Sequence, residues 1–335
     1  MNCLRKEFPT ASVGALCSLF GLTRQAYYKA EKRASKRVLQ EALVLQEVRK
    51  IKQEQPQLGT EKVYLLIKPF LQEHSIKMGR DKLYDLLRAH HLLPKRKRRG
   101  PGTTQSKHLF YKHPNLVKDL EVLRPGFVWT SDITYIRCGG DRFSYLSLIT
   151  DAYSKKIVGW SLQPSLRAEG PIEALKMALR SINQRERNRV HGGYSHSPTP
   201  LIHHSDRGIQ YCCYQYVGLL EKYQVQISMA RESYENPIAE RVNGILKEEL
   251  LRPGYPDQAS AKMAIAKAIR IYNEKRPHRS LNMMMPVQAH QMSGPIPKRW
   301  KKNKYREKAR KRREAEHQSQ KSTASEKKKQ SQISI

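Results

Sequence analysis

Two hydrophobic periods divide the chain. Up to about residue 93, apolar residues recur every three or four positions, as in "LQEALVLQEVRKIKQEQP" and "TEKVYLLIKPFLQEH". That is the spacing of amphipathic helices. From Phe127 the period changes, and "FVWTSDITYIRC", "RFSYLSLITDAY" and "KKIVGWSL" read as strands separated by the turn signals "GGD" and "YSK". Residues 11–30 predict two short helices broken at Gly21, with Thr23 as N-cap of the second. Residues 39–93 predict three more: one stopping at Pro56, one capped by Thr60, and one that follows Gly79 and ends at Pro94. Both units carry a helix-turn-helix pattern. After three antiparallel-looking strands come an amphipathic helix near 171–187, the strands "LIHHS" and "VQISMA", and helices near 237–250 and 259–272. Strands that then alternate with helices predict an α/β class: a mixed sheet flanked by helices, preceded by all-α units.

Charge adds a partner to this picture. The 335 residues include 63 Lys+Arg against 30 Asp+Glu, a formal net charge of +33. Residues 124–290 hold 23 basic and 15 acidic residues, so most of the excess lies in the flanks. A nearly balanced centre between basic arms suits a core that works on a polyanion, with double-stranded DNA as the natural partner. Arg24, Gln25 and Lys29 on the recognition-like helix are candidate DNA contacts, as are Arg96 and Arg98 in the basic linker "KRKRRGPG". The organisation expected is a helix-turn-helix-like segment (1–38), a helix-turn-helix domain (39–98), a basic linker (99–123), a core (124–291) and a disordered basic tail (292–335). No apolar run approaches the ~18 residues that span a bilayer, and the first ten residues lack a secretory apolar region. The expectation is a cytoplasmic protein with no membrane partner. Five cysteines without a C-x-x-C pair indicate neither a disulfide framework nor structural zinc.

Three carboxylates stand out by position. Asp132 lies inside the first core strand, where a charge is unusual. Asp206 ends a later strand in "HHSDRGIQY". Glu240 lies in "ENPIAERVNGILKEEL", a helix with Asn236 as expected N-cap and Pro237 at its first position. On a helical wheel Ile238, Val242, Ile245 and Leu246 make the buried stripe, and Glu240, Gly244, Lys247 and Leu251 fall opposite. Carboxylates are the ligands that hard cations need for phosphoryl transfer, yet any one of these acids has a capping or solvated reading too. Asp151 reads as a turn residue, and Trp129 and Trp160 as core. His203 and His204 read equally as packing or as groups orienting Asp206 or meeting DNA, and "RPHRSL" reads as the closing segment of the core.

The blocks "WTSDITYI", "HHSDRGIQY", "ENPIAERVNGILKEE" and "YNEKRPHRSL" resemble, in order, the catalytic core shared by retroviral integrases and insertion-sequence transposases. The nearest pattern is the OrfB-type product of the insertion-sequence-three family. The resemblance covers Pro125 to about Gln291, and the preceding helical unit is similar to that family's helix-turn-helix. It implies a ribonuclease-H-like fold and a D-D-E triad, Asp132, Asp206 and Glu240, that binds two Mg²⁺ or Mn²⁺ ions. It implies that Lys247 contacts transposon-end DNA, with Tyr234 and Asn236 as loop contacts. The implied chemistry is cleavage at the 3′ end of an element followed by strand transfer into target DNA. A homo-oligomer and an upstream OrfA-type companion are implied as partners. The 33 residues between Asp206 and Glu240 are slightly fewer than the family's usual interval, which places the change in the active-site loop. Two other readings stay open: an inactive DNA-binding regulator, and a nuclease of the same fold without strand transfer.

Overall fold

A computed structural model describes residues 7, 9–94, 110–181 and 201–297. The basic linker residues Arg96 and Arg98, and the tail beyond residue 297, lie outside the described residues.

The helical region holds α1 (Val13–Leu19), α2 (Arg24–Glu54), α3 (Thr60–Glu73) and α4 (Arg80–Ala89). Ser12 Oγ accepts from Ala15 N–H and Thr23 Oγ1 from Ala26 N–H, both at 3.1 Å, so the first two helices start at real side-chain caps. The expected short second helix instead runs 31 residues without interruption, straight through the boundary placed at residue 38. The physical reason is plain: no Gly or Pro interrupts Arg24–Glu54, and its Ala, Leu, Lys, Glu, Arg and Gln residues all favour helix. The third helix is capped by Gly59, with Thr60 as its first helical residue and no side-chain cap. Val44, Val48, Leu58, Val63, Ile67, Leu83 and Leu87 close a core of their own between α2, α3 and α4.

The second region is a five-stranded sheet in the order β3-β2-β1-β4-β5. β1 (Val128–Arg137), β2 (Phe143–Asp151) and β3 (Ile157–Gln163) are antiparallel, as their turn signals predict. β4 (Ile202–Ser205) and β5 (Gln226–Met229) run parallel to β1. This is the mixed sheet of the ribonuclease-H-like class. One face is covered by α5 (Glu169–Ser181) and α7 (Tyr214–Lys222), around Trp129, Leu175, Tyr216 and Leu220. The other is covered by α8 (Pro237–Ile245) and α9 (Gln258–Glu274), around Leu146, Val242, Ile265 and Tyr272. The short α6 (Ile209–Cys212) precedes α7, and α10 (Pro286–Ala289) closes the region.

Gly159 shows how close the first layer lies. A Cβ there would come within 2.2 Å of the Ala174 carbonyl oxygen and 2.9 Å of Ala178 Cβ, so only hydrogen lets α5 sit on β3. Asp151 has the expected turn role: its carboxylate accepts from Ser154 N–H and Oγ–H and from Gly126 N–H at 2.7–2.8 Å. Trp129 is buried in the core under α5 and α7, and Trp160 packs partly buried against the core under α8 and α9.

Candidate active site

β1 carries Asp132 outward from the sheet's centre toward α8. The strand is fully buried from Val128 to Ser131 and half-buried at Asp132, so the backbone is fixed where the carboxylate emerges. Asp132 Oδ1 accepts from the adjacent Ile133 N–H at 2.8 Å, and Oδ2 accepts from Asn243 Nδ2 at 2.7 Å. Asn243 sits on α8 one turn after Glu240, so the helix that presents the glutamate also grips the aspartate. Sequence reasoning missed Asn243; its signal was a polar residue of low helix propensity beside the apolar stripe.

Asp206 follows β4 directly, and parallel pairing of β4 with Val128–Thr130, Thr130 opposite His204, brings the end of β4 beside the middle of β1. Its Oδ1 accepts from Gly208 N–H at 3.0 Å, closing the turn that starts α6. Glu240 is exposed in the first turn of α8, where the helix dipole favours an anion. The electrostatics tie the three together. Burial, then the charge of Asp206, and less strongly that of Glu240, push the Asp132 carboxyl up to about 7, against the lowering effect of its hydrogen bonds from Ile133 and Asn243. The side chains as placed are not collapsed around a common centre: among the described residues, no group of three His, Cys, Asp or Glu stands ready to hold a metal ion. The chemistry of the donor set nonetheless suits a hard divalent cation. It offers oxygen ligands only, with mutually repelling charges that a cation relieves.

The helix bearing Glu240 does not continue regularly. Leu246–Leu250 form a π-turn, which adds a residue to the turn and shifts the register. Lys247 stays exposed, as expected for its face. Leu251, expected on the same side, is instead buried at 8 %, because the π-turn rotates it into the core. The other buried positions of the stripe, Val242, Ile245 and Leu246, are as the wheel predicts.

The remaining candidates separate. Tyr234 is exposed, consistent with a loop contact. Asn236 is not available to DNA: it is 6 % exposed and its Nδ2 donates to the Ser131 carbonyl at 2.9 Å, so it fastens the start of α8 to β1. It occupies the N-cap position without a side-chain cap bond. Arg24, Gln25 and Lys29 are exposed on α2, far in sequence from the acids. His203 and His204 are packing residues. His203 Nε2 pairs with Tyr216 Oη and His204 Nδ1 with Ser228 Oγ, each at 2.8 Å. In "RPHRSL", Arg276 and His278 are buried, with Arg276 donating to Glu249 at 3.1 and 2.6 Å. Neither can meet a phosphate as placed.

Two family models, each described as an integrase core domain, match residues 123–234 and 221–286. The insertion element IS600 uncharacterized 31 kDa protein of Shigella sonnei is 32 % identical over 280 residues, covering 81 % of this chain and 96 % of that protein. The transposase for insertion sequence element IS629 of the same organism is 24 % identical over 299 residues, covering 86 % and 94 %. Among solved structures, the HTLV-2 integrase catalytic core domain in complex with magnesium is similar at a TM-score of 0.37 and 18 % identity, over 51 % of this chain and 99 % of that one. The 32 % identity to the IS600 protein over nearly the whole of its length, two integrase-core matches spanning the acidic strands and α8, and the mixed five-stranded sheet converge on one assignment. The chain belongs to the insertion-sequence-three family of DNA transposases, polynucleotidyl transferases with an integrase-type core.

Proposed function

We propose that Asp132, Asp206 and Glu240 are the acidic triad of this transposase and act on the ends of a mobile element. The observation that carries the reading is that Asp132, on β1, is raised to about 7 by burial and by the charges of Asp206, after β4, and Glu240, on α8. Such a site is short of positive charge, and divalent Mg²⁺ or Mn²⁺, two ions in the full reading, would supply it. When bound, the ions polarise the phosphodiester and lower the pKa of the attacking hydroxyl or water.

The chain's own groups do the rest. Asn243 and the Ile133 N–H hold the Asp132 carboxylate in one orientation. The Gly208 N–H does the same for Asp206. Glu240, exposed in the first turn of α8, would supply the third oxygen ligand. Lys247, exposed in the π-turn that follows α8, pairs with a DNA phosphate. In the first step water attacks phosphorus, the bond to the 3′ oxygen breaks, and a 3′-hydroxyl is freed. In the second that hydroxyl attacks a target phosphodiester, loses its proton, and displaces the target's own 3′ oxygen. One P–O bond forms and one breaks in each step. Arg24, Gln25, Lys29, Arg96, Arg98 and Tyr234 extend the DNA contacts. Ends must be paired before joining, so the working form is a homo-oligomer, and an upstream OrfA-type companion completes the machinery. Among the described residues no helix is long and apolar enough to cross a membrane.

The test is a joining assay: element-end duplex and target DNA with Mg²⁺, products resolved by size. Asp132→Asn and Glu240→Gln should each abolish cleavage and joining while leaving circular dichroism unchanged. Joining that survives either substitution sinks the triad, and cleavage without joining makes the protein a nuclease.

A further inference from the structure

β1 is paired along only part of its outer edge. β4 covers Val128–Thr130. The other end is covered by the segment around Tyr255, whose N–H donates to the Arg137 carbonyl at 3.0 Å and whose carbonyl accepts from Gly139 N–H at 2.9 Å. Between them, residues 131–136 have no strand partner on that side among the described residues. Asp132 stands at the β4 end of this window. At the other end lies a cavity of about 650 Å³ lined by Tyr135, Arg137, Phe143, Lys247, Pro253 and Gly254. Tyr135 is three residues beyond Asp132, about 10 Å along a strand, and the odd offset turns its side chain to the other face of the sheet.

The lining is unusual for a surface. Phe143 is 44 % exposed and belongs to none of the hydrophobic cores. Tyr135 meets it edge-on, with ring centroids 6.1 Å apart. The Arg137 guanidinium stands 5.8 Å from the Phe143 centroid, and Lys247 is exposed at the same cavity. Arg137 has a neighbour in Asp141 at 3.7 Å, but both are open to solvent, so that pair is weak and the cation keeps its reach. Aromatic faces beside cations are the chemistry of single-stranded nucleic acid: rings stack on bases and cations hold the backbone. A base inside a duplex offers only its edges, because its faces are covered by stacked neighbours. Rings set in a cavity therefore suit a base that has left the stack.

We propose that this cavity holds one unpaired nucleotide of the bound DNA end. The base lies against Phe143 and Tyr135, and the phosphate between Arg137 and Lys247. The proposal rests on the triad reading above for where the strand is cut.

The test uses the full-length protein and element-end duplexes with 2-aminopurine at each of the last five positions of either strand, without divalent cation. Leaving the duplex stack should raise fluorescence at one position only, near the cleavage point. Phe143→Ala should remove that rise while leaving circular dichroism unchanged, and should weaken binding of ends carrying an unpaired base about five- to thirtyfold, as expected for loss of one stacked base. Phe143→Trp should restore the binding. An equal rise in wild type and Phe143→Ala, or Phe143→Ala weakening fully paired and unpaired ends alike, overturns the proposal. Because no chemistry occurs without cation, the outcome is separate from the joining assay. A lost triad reading with an intact, Phe143-dependent rise would leave the cavity assignment standing.

Discussion

Glu249 and Arg276 make the most testable claim about how the core is held. Arg276, 1 % exposed, donates through Nε and Nη2 to one oxygen of Glu249, itself 19 % exposed. Arg241 approaches the other oxygen at 3.8 Å. Lys62, from the helical region, is close enough that burial and then the charge of Arg276 push its pKa down to about 8, with Glu249 resisting. Glu249→Gln therefore leaves three cations facing one another, one of them buried. Removing one partner of a buried pair costs about 3–5 kcal/mol, and the partial exposure of Glu249 places this change near about 3. Arg276→Met should cost less, about 1–2 kcal/mol, because Glu249 keeps Arg241 and Lys62 and the buried cation is gone. Urea unfolding followed by tryptophan fluorescence reads the difference, since Trp129 and Trp160 lie in the sheet. A pH series adds a sign. Lys62 falls from the ordinary 10.5 to about 8 on folding, so between those values the unfolded chain keeps a proton that the folded one has released. Stability attributable to Lys62 should rise with pH across that window and be lost as pH falls to about 8. In Glu249→Gln the window should open at a lower pH. Equal costs for the two variants, or a Glu249→Gln cost below about 1 kcal/mol at unchanged denaturant slope, would refute the reasoning.

Gly159→Ala should destabilise by about 3 kcal/mol or more in the same assay, above the usual range for overpacking, because the added carbon meets backbone rather than a movable side chain. Asn243→Ala should lower the joining rate about ten- to hundredfold with little change in DNA binding, since Asp132 loses the group that orients it; an unchanged rate would dismiss Asn243 as a positioning residue. Burial holds His203 down to about 3, so its contribution to stability is complete above its unfolded value near 6.5 and is lost as pH falls toward about 3. His203→Phe should flatten that acid limb of the unfolding midpoint, and an unaltered acid limb would assign the loss elsewhere.

Much of this architecture is legible without coordinates because its elements obey local rules. β1, β2 and β3 alternate or run apolar between strong turn signals, and Asp132 is conspicuous because a buried strand tolerates few charges. What stayed hidden was decided by tertiary contact. α6 and α7 were missed because "IQYCCYQYVGLL" is rich in Tyr and Cys, and the extended Cys213 (ψ 147°) splits it into two short helices. Leu251 was placed on the wrong side because a helical wheel assumes a constant turn, and the π-turn at Leu246–Leu250 breaks that assumption. Asn236 and Arg276 look like surface polar residues in sequence. Their burial depends on partners, Ser131 and Glu249, that lie 105 and 27 residues away.

The contact between the helical region and the core is polar in two grades. Its outer part is the Lys275–Glu54 pair at 2.7 Å, with side chains 48 % and 39 % exposed, next to a Gln55 Nε2 bond to the Lys275 carbonyl at 3.4 Å. Its inner part is Lys62 beside Arg276 and Glu249. Salt weakens exposed pairs progressively, with a screening length of about 10 Å at 0.1 M, and reaches buried ones much less. Raising ionic strength therefore slackens the outer grip first while the inner one holds. The same salt weakens contacts to phosphate. The outer pair should therefore contribute less to holding the two regions together as salt rises, while the inner group keeps most of its contribution.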